Sequence, residues 1–141
     1  MSTRWFCSCL PVLILLLLGG CGSPPALVVY ERTGGILGVT ERLTLHPSGA
    51  VQVGPHCMTL PAAEVHQLTT MLMAVNIASL PSTSRAARPN ADLMQHTLTF
   101  DGITVTGDDT ALPSVVLPPV IDRLTQIILA THGTALPCPV A

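Results

Sequence analysis

His96-Thr97-Leu98-Thr99-Phe100-Asp101-Gly102-Ile103-Thr104-Val105-Thr106-Gly107 decides the fold of this chain. Asp-Gly between two alternating runs is the strongest short hairpin signal, because the tight turn it closes needs positive φ at both central residues. A two-residue turn pairs Phe100 with Ile103, Leu98 with Val105 and His96 with Gly107. Thr97 and Thr99 then face Thr106 and Thr104. One face of the hairpin is core, and the other is a threonine ladder.

Upstream, Val39-Thr40-Glu41-Arg42-Leu43-Thr44-Leu45 alternates in the same way, with Val39, Leu43 and Leu45 on one side. His46-Pro47-Ser48-Gly49-Ala50 fits a three-residue hairpin loop, with Pro47 in the turn and Gly49 where the backbone goes left-handed. That loop sets Leu43 opposite Val53 and Leu45 opposite Val51; an even-length loop would set Leu43 against Gln52 and mix the faces. Leu27 to Arg32 is a further β-rich run. Pro61 to Asn76 reads as a helix with Val65, Leu68, Leu72 and Val75 in one stripe, widened by Met71. Glu64 lies in its first turn, at the positive end of the dipole. Residues 77–92 form a polar, proline-bearing loop. Pro118-Pro119 opens a second helix, with Val120, Leu124, Ile127, Ile128 and Thr131 on one side, which Gly133 stops. The expected architecture is α+β: a small antiparallel sheet of about five strands with two helices packed on one face, in the order β-β-β-α-β-β-α.

The amino terminus has a different character. Arg4 precedes an apolar run from Leu10 to Leu18, followed by Gly19, Gly20 and Cys21. This is the order of a secretory signal peptide, and the run falls short of the ~20 residues a membrane-spanning helix needs. Cysteine directly after Leu-Gly-Gly resembles a bacterial lipobox, which implies cleavage before Cys21 and acylation of its thiol and new amine; an ordinary signal peptide with Cys21 in a disulfide is the alternative. Acyl chains at ~0.8 kcal/mol per buried methylene hold such a protein on a membrane. The expected division is a signal peptide over 1–20, lipidated Cys21 and tether over 21–26, a single domain over 27–132 and a tail over 133–141.

Composition narrows the function. The chain has six arginines, no lysine and eight acidic residues. Loss of Arg4 with residues 1–20 leaves five arginines against those eight acids, a net charge of −3 with neutral histidines. Such a surface cannot neutralise a run of phosphates, which argues against nucleic acid. Tyr30 and Phe100, the two aromatics left after cleavage, build no stacking platform for bases. Outside the cytoplasm Cys57 and Cys138 can oxidise to one disulfide that pins the proline-rich tail; two free thiols are the alternative.

Glu31-Arg32-Thr33-Gly34-Gly35-Ile36-Leu37-Gly38 resembles the Arg-Ser-Gly-Gly-Phe-Ala-Gly segment of emfourin-like proteins. That family comprises protein inhibitors of thermolysin-like metallopeptidases, protealysin in particular, together with related lipoproteins. The resemblance runs on through Leu60-Pro61-Ala62-Ala63-Glu64, Asp92-Leu93-Met94-Gln95-His96-Thr97-Leu98 and Gly107-Asp108-Asp109-Thr110-Ala111-Leu112-Pro113, and covers roughly residues 28–130. Family members usually carry phenylalanine and tyrosine where Met94 and His96 stand. The resemblance implies a non-catalytic module whose partner is a secreted metallopeptidase or another envelope protein.

Gly34, Gly35, Ile36, Leu37 and Gly38 are the expected partner-binding residues. Glycines let the backbone approach a partner closely while Ile36 and Leu37 project. Thermolysin-like peptidases favour bulky aliphatic side chains just after the scissile bond. The competing reading is a plain turn with Ile36 folded back on the core. The segment leads into a strand rather than a helix, so it is no phosphate loop. Five histidines (His46, His56, His66, His96 and His132) lack metal-ligand spacing, and His96 reads as an edge-of-core residue. No nucleophile elbow is present, and His56-Cys57 point to opposite faces of an extended run. Asp108-Asp109 reads as a turn whose carboxylates accept backbone N–H groups, and Glu41 and Arg42 as solvated strand residues. No cofactor, metal or small-molecule substrate is expected. A structural or assembly lipoprotein of the cell envelope, with no inhibitory activity, is the alternative function.

Overall fold

The computed structural model describes residues 25–84, 92–111, 117–134 and 136–138. The expected signal peptide over 1–20, Cys21 and most of the expected tether lie outside the described residues, as do Arg85, Arg88 and Leu112-Pro113. Among the described residues no helix is long and apolar enough to cross a membrane.

The class is α+β. Strands β1 (Val28–Gly34), β2 (Val39–Leu45), β3 (Ala50–Val53) and β4 (His56–Thr59) precede helix α1 (Ala62–Ala74). A short 3-10 turn (Ile77–Ser79), β5 (Thr83–Ser84), β6 (Met94–Phe100), β7 (Ile103–Asp108), helix α2 (Leu117–Thr134) and β8 (Leu136–Pro137) follow. The strands form one sheet in the order β5-β7-β6-β1-β2-β3-β4-β8. It is mixed, because β5 runs parallel to β7 while the other pairings are antiparallel.

Both hairpin registers follow from their turns. Phe100 pairs with Ile103, Leu98 with Val105 and His96 with Gly107. Asp101 and Gly102 both take positive φ, 50° and 75°, as this turn demands. The threonine ladder forms, with Thr99 and Thr104 hydroxyls 2.9 Å apart and Thr97 and Thr106 3.3 Å apart. In the upstream hairpin, Leu43 pairs with Val53 and Leu45 with Val51. His46 N–H donates to Ala50 and Gly49 N–H to His46, which closes the three-residue loop.

Among the described residues the sheet has eight strands rather than the expected five or so. The additional ones lack the alternation that marks a strand in sequence. β5 and β8 are two-residue edge strands that exist through their neighbours, and β4 is a half-exposed run after the Gly54-Pro55 turn. Short edge strands present little open ladder, which suits a protein that must not pair edge to edge. The stretch 133–141 is therefore not merely a tail: Leu136-Pro137 lies on β4, and Cys57 and Cys138 are joined with their Cα atoms 4.9 Å apart. Gly133 does not stop the second helix either, which runs on to Thr134. Nothing within 4 Å crowds that glycine, and the turn it closes is still helical. Polar loop 77–92 is interrupted by the 3-10 turn, whose Ile77 is buried.

One core joins the inward face of the sheet to both helices. Val28 and Tyr30 of β1, Leu43 and Leu45 of β2, Leu98 of β6 and Val105 of β7 meet Leu68 and Leu72 of α1 and Leu124 and Ile128 of α2. α1 ends where Asn76 adopts the left-handed conformation, φ 46°, an arrangement that asparagine tolerates well.

Candidate functional site

Register places the glycine loop at one end of the sheet. Gly34, the last residue of β1, pairs with Val39 on β2 and with Met94 on β6. Gly38 N–H donates to the Gly35 carbonyl over 3.0 Å and closes a four-residue turn with Ile36 and Leu37 at its two central positions. Both point to solvent, Ile36 at 84% exposure and Leu37 at 87%. Ile36 is thus not folded back on the core, and it and Leu37 form a small exposed aliphatic tip.

The base of the loop is fixed against β6. Gly34 has φ +104°, and a Cβ there would lie 2.7 Å from the Leu93 carbonyl oxygen, so only glycine permits the approach. Gly35 N–H donates to that same carbonyl over 3.3 Å, and the Met94 thioether packs against Gly35. Met94 is held in turn by Asp109. Its N–H donates to Asp109 Oδ2 over 3.0 Å, and Asp109 N–H donates to its carbonyl over 3.1 Å.

Behind the loop lies a polar array on the core face of the sheet. Asp109 Oδ1 is 2.6 Å from His96 Nε2, and His96 Nδ1 is 2.7 Å from the Tyr30 hydroxyl. An ionised carboxylate accepts and cannot donate, so Nε2 donates to Asp109, and Nδ1 shares a second hydrogen bond with the Tyr30 hydroxyl. The Tyr30 and His96 rings are parallel within 5°, with centroids 6.0 Å apart. Tyr30 is fully buried, and its oxygen also lies 3.4 Å from Thr125 Oγ1 on α2. Burial pushes the Tyr30 phenol above its usual range, against the opposing effect of the Thr125 hydrogen bond. With its hydroxyl sealed in the core, the Tyr30-His96-Asp109 chain links loop support to core rather than presenting a reactive group.

Beside it, Arg32 lies between His96 and Glu41 in register and donates to Glu41. Glu41 Oε1 is 2.9 Å from His132 Nε2 at the end of α2, and the His132 ring meets His56 edge-on, centroids 5.9 Å apart. Burial works to raise the Glu41 carboxyl, but the hydrogen bonds and charges of Arg32 and His132 outweigh it and hold it below its ordinary value. Glu41 is therefore not a solvated strand residue: its side chain is 17% exposed and paired on both oxygens. Arg42 points the other way and makes an exposed pair with Glu31. Asp108 accepts from the Thr110 and Ala111 N–H groups, as a turn carboxylate does.

The remaining histidines stand apart from this array. Among the described residues, no three His, Cys, Asp or Glu side chains are grouped to hold a metal ion.

The loop is legible in the sequence, whereas its support is not. Parity on β1 places Arg32 on the face of Val28 and Tyr30, and parity on β2 places Glu41 on the face of Leu43. Those two charges mark a polar patch at one end of an apolar face. Asp109 carried no such signal, since its role depends on the β6–β7 register and on the turn after it.

Comparison of the chain with protein-family models, with curated proteins and with solved structures finds no match to any of them.

Proposed function

We propose that this chain is a membrane-tethered extracytoplasmic lipoprotein, anchored through Cys21, and a non-catalytic binding module of the emfourin-like kind. Its loop Gly34–Gly38 enters the cleft of a thermolysin-like metallopeptidase and occludes it. One observation carries the reading: Ile36 and Leu37 stand almost fully exposed at the tip of a closed turn whose base is anchored to β6.

Burying two such side chains in apolar pockets is worth roughly 3–6 kcal/mol before the costs of association. A turn already closed by the Gly38–Gly35 hydrogen bond loses little further conformational freedom on docking. The same closure protects it. An endopeptidase holds its substrate extended, and this turn cannot extend without giving up its contacts with Leu93 and Met94. Ile36 or Leu37 would fill the pocket that such enzymes keep for the residue after the scissile bond.

The test is a titration of a thermolysin-like metallopeptidase with the chain from Gly22 onward, following cleavage of a small peptide. Stoichiometric loss of activity supports inhibition; undiminished cleavage at saturating domain contradicts it.

A further inference from the structure

Strand β1 has two ends with opposite characters. Gly34 ends it beneath the Ile36–Leu37 tip, whereas Val28 begins it beside Leu45 and Phe100. The Pro47–Gly49 turn and the Asp101–Gly102 turn therefore flank the point where the chain enters the domain at Leu27. A seven-residue strand at ~3.3 Å per residue separates this entry end from the loop end by about 20 Å.

We propose that the entry end, formed by Leu27, the Pro47–Ser48 turn and the Phe100–Ile103 tip, rests on the lipid bilayer and holds the Ile36–Leu37 tip away from it. The inference rests on lipidation of Cys21, as proposed above. Residues Cys21 to Ala26 reach at most about 20 Å when fully extended, so the entry end stays within that distance of the anchored sulfur. That reach only just equals the height of the sheet, so a domain turned over with its loop end on the bilayer would hold the tether at full stretch, whereas the entry end rests there with the tether free to sample many conformations. The surface suits the position. Ile103 is 37% exposed at the hairpin tip, Leu27 and Phe100 are partly buried apolar residues, and Asp101 is the one formal charge of the two turns and Leu27. At the other end, the glycine tip faces the aqueous compartment. Its partner is accordingly a protein that approaches from solution, not one lying within the bilayer.

A single tryptophan reports the orientation, because Trp5, the one tryptophan of the chain, leaves with residues 1–20. Full-length protein carrying Ile103→Trp, Ser48→Trp or Leu37→Trp would be processed in a bacterial host, purified and incorporated into phosphatidylcholine vesicles with brominated acyl chains. Flotation with the vesicles reads the anchor, and quenching of emission by the brominated lipid reads the orientation. The expected result is flotation of every variant, with loss of emission for Ile103→Trp and Ser48→Trp and retained emission for Leu37→Trp. Quenching of Leu37→Trp as strong as that of the other two overturns the proposal, and so does a floating protein in which none is quenched. Failure to float is a separate result, which removes the anchor and the orientation with it.

Discussion

His96 and Asp109 lie 2.6 Å apart, Nε2 to Oδ1, with the histidine 6% exposed and the aspartate at the rim. Through this bond the glycine loop is connected to the core, because Asp109 also holds Met94 and Met94 packs against Gly35. His96→Phe fits the volume but leaves the buried Tyr30 hydroxyl with no partner except Thr125. A buried donor left unsatisfied costs about 1–3 kcal/mol, whereas replacing both partners by apolar groups costs less. The urea midpoint should fall for His96→Phe and recover in part for the double variant with Tyr30→Phe. Additive losses in that cycle would show that the two side chains do not interact.

Gly34→Ala should be destabilising by at least 1–3 kcal/mol, the usual magnitude of left-handed strain in a residue with a Cβ. The contact it would create is with the Leu93 backbone, which cannot swing aside as a side chain would. Ile36→Ala, at a site open to solvent, should shift the midpoint by less than ~0.5 kcal/mol. Equal midpoints for the two variants would contradict the assigned loop geometry.

Stability should decline at both extremes of pH for separate reasons. Glu41 is held below its ordinary value of 4.5, so its contribution is present above that pH and is lost as pH falls through the folded value. Tyr30 is raised above its ordinary 10.0, so the fold keeps its full contribution below pH 10.0 and loses it as pH rises toward the folded value. Urea titrations across pH check both, with Glu41→Gln flattening the acid limb and Tyr30→Phe the alkaline one.

The Cys57–Cys138 bond closes a separation of 81 residues and pins β8 to β4. Loops of that length give a stabilisation of about 4 kcal/mol on the chain-entropy account. Cys57→Ser/Cys138→Ser should lose stability on that scale and release the carboxy-terminal segment to proteolysis. Intact mass before and after reduction and alkylation tests the pairing itself. Alkylation of Cys57 without prior reduction would contradict it.

Much of this fold is legible from local rules, and the exceptions share a cause. Asp101-Gly102 and Pro47-Ser48-Gly49 determine their registers because turn length and side-chain parity leave no second solution. Helix α1 shows in the spacing of Val65, Leu68 and Leu72. β5 and β8 do not show, since two residues carry no period and their pairing depends on chain segments far away. The candidate site divides in the same manner. Three glycines around Ile36 and Leu37 announce a loop, and the exposure of its tip accords with their chemistry. Its support by Asp109, His96 and Tyr30 joins residues up to 79 positions apart, and that is tertiary information.

The most direct test of the account is a paired titration of one thermolysin-like metallopeptidase with the wild-type domain and with Ile36→Asp. At 84% exposure Ile36 contributes nothing to the core, so the variant should unfold at the wild-type urea concentration. Stoichiometric inhibition by the wild type and none by Ile36→Asp is expected, because the aspartate would bring a charge into an apolar pocket. Inhibition by Ile36→Asp equal to that of the wild type would contradict the role of the loop, and no inhibition by either would contradict the function.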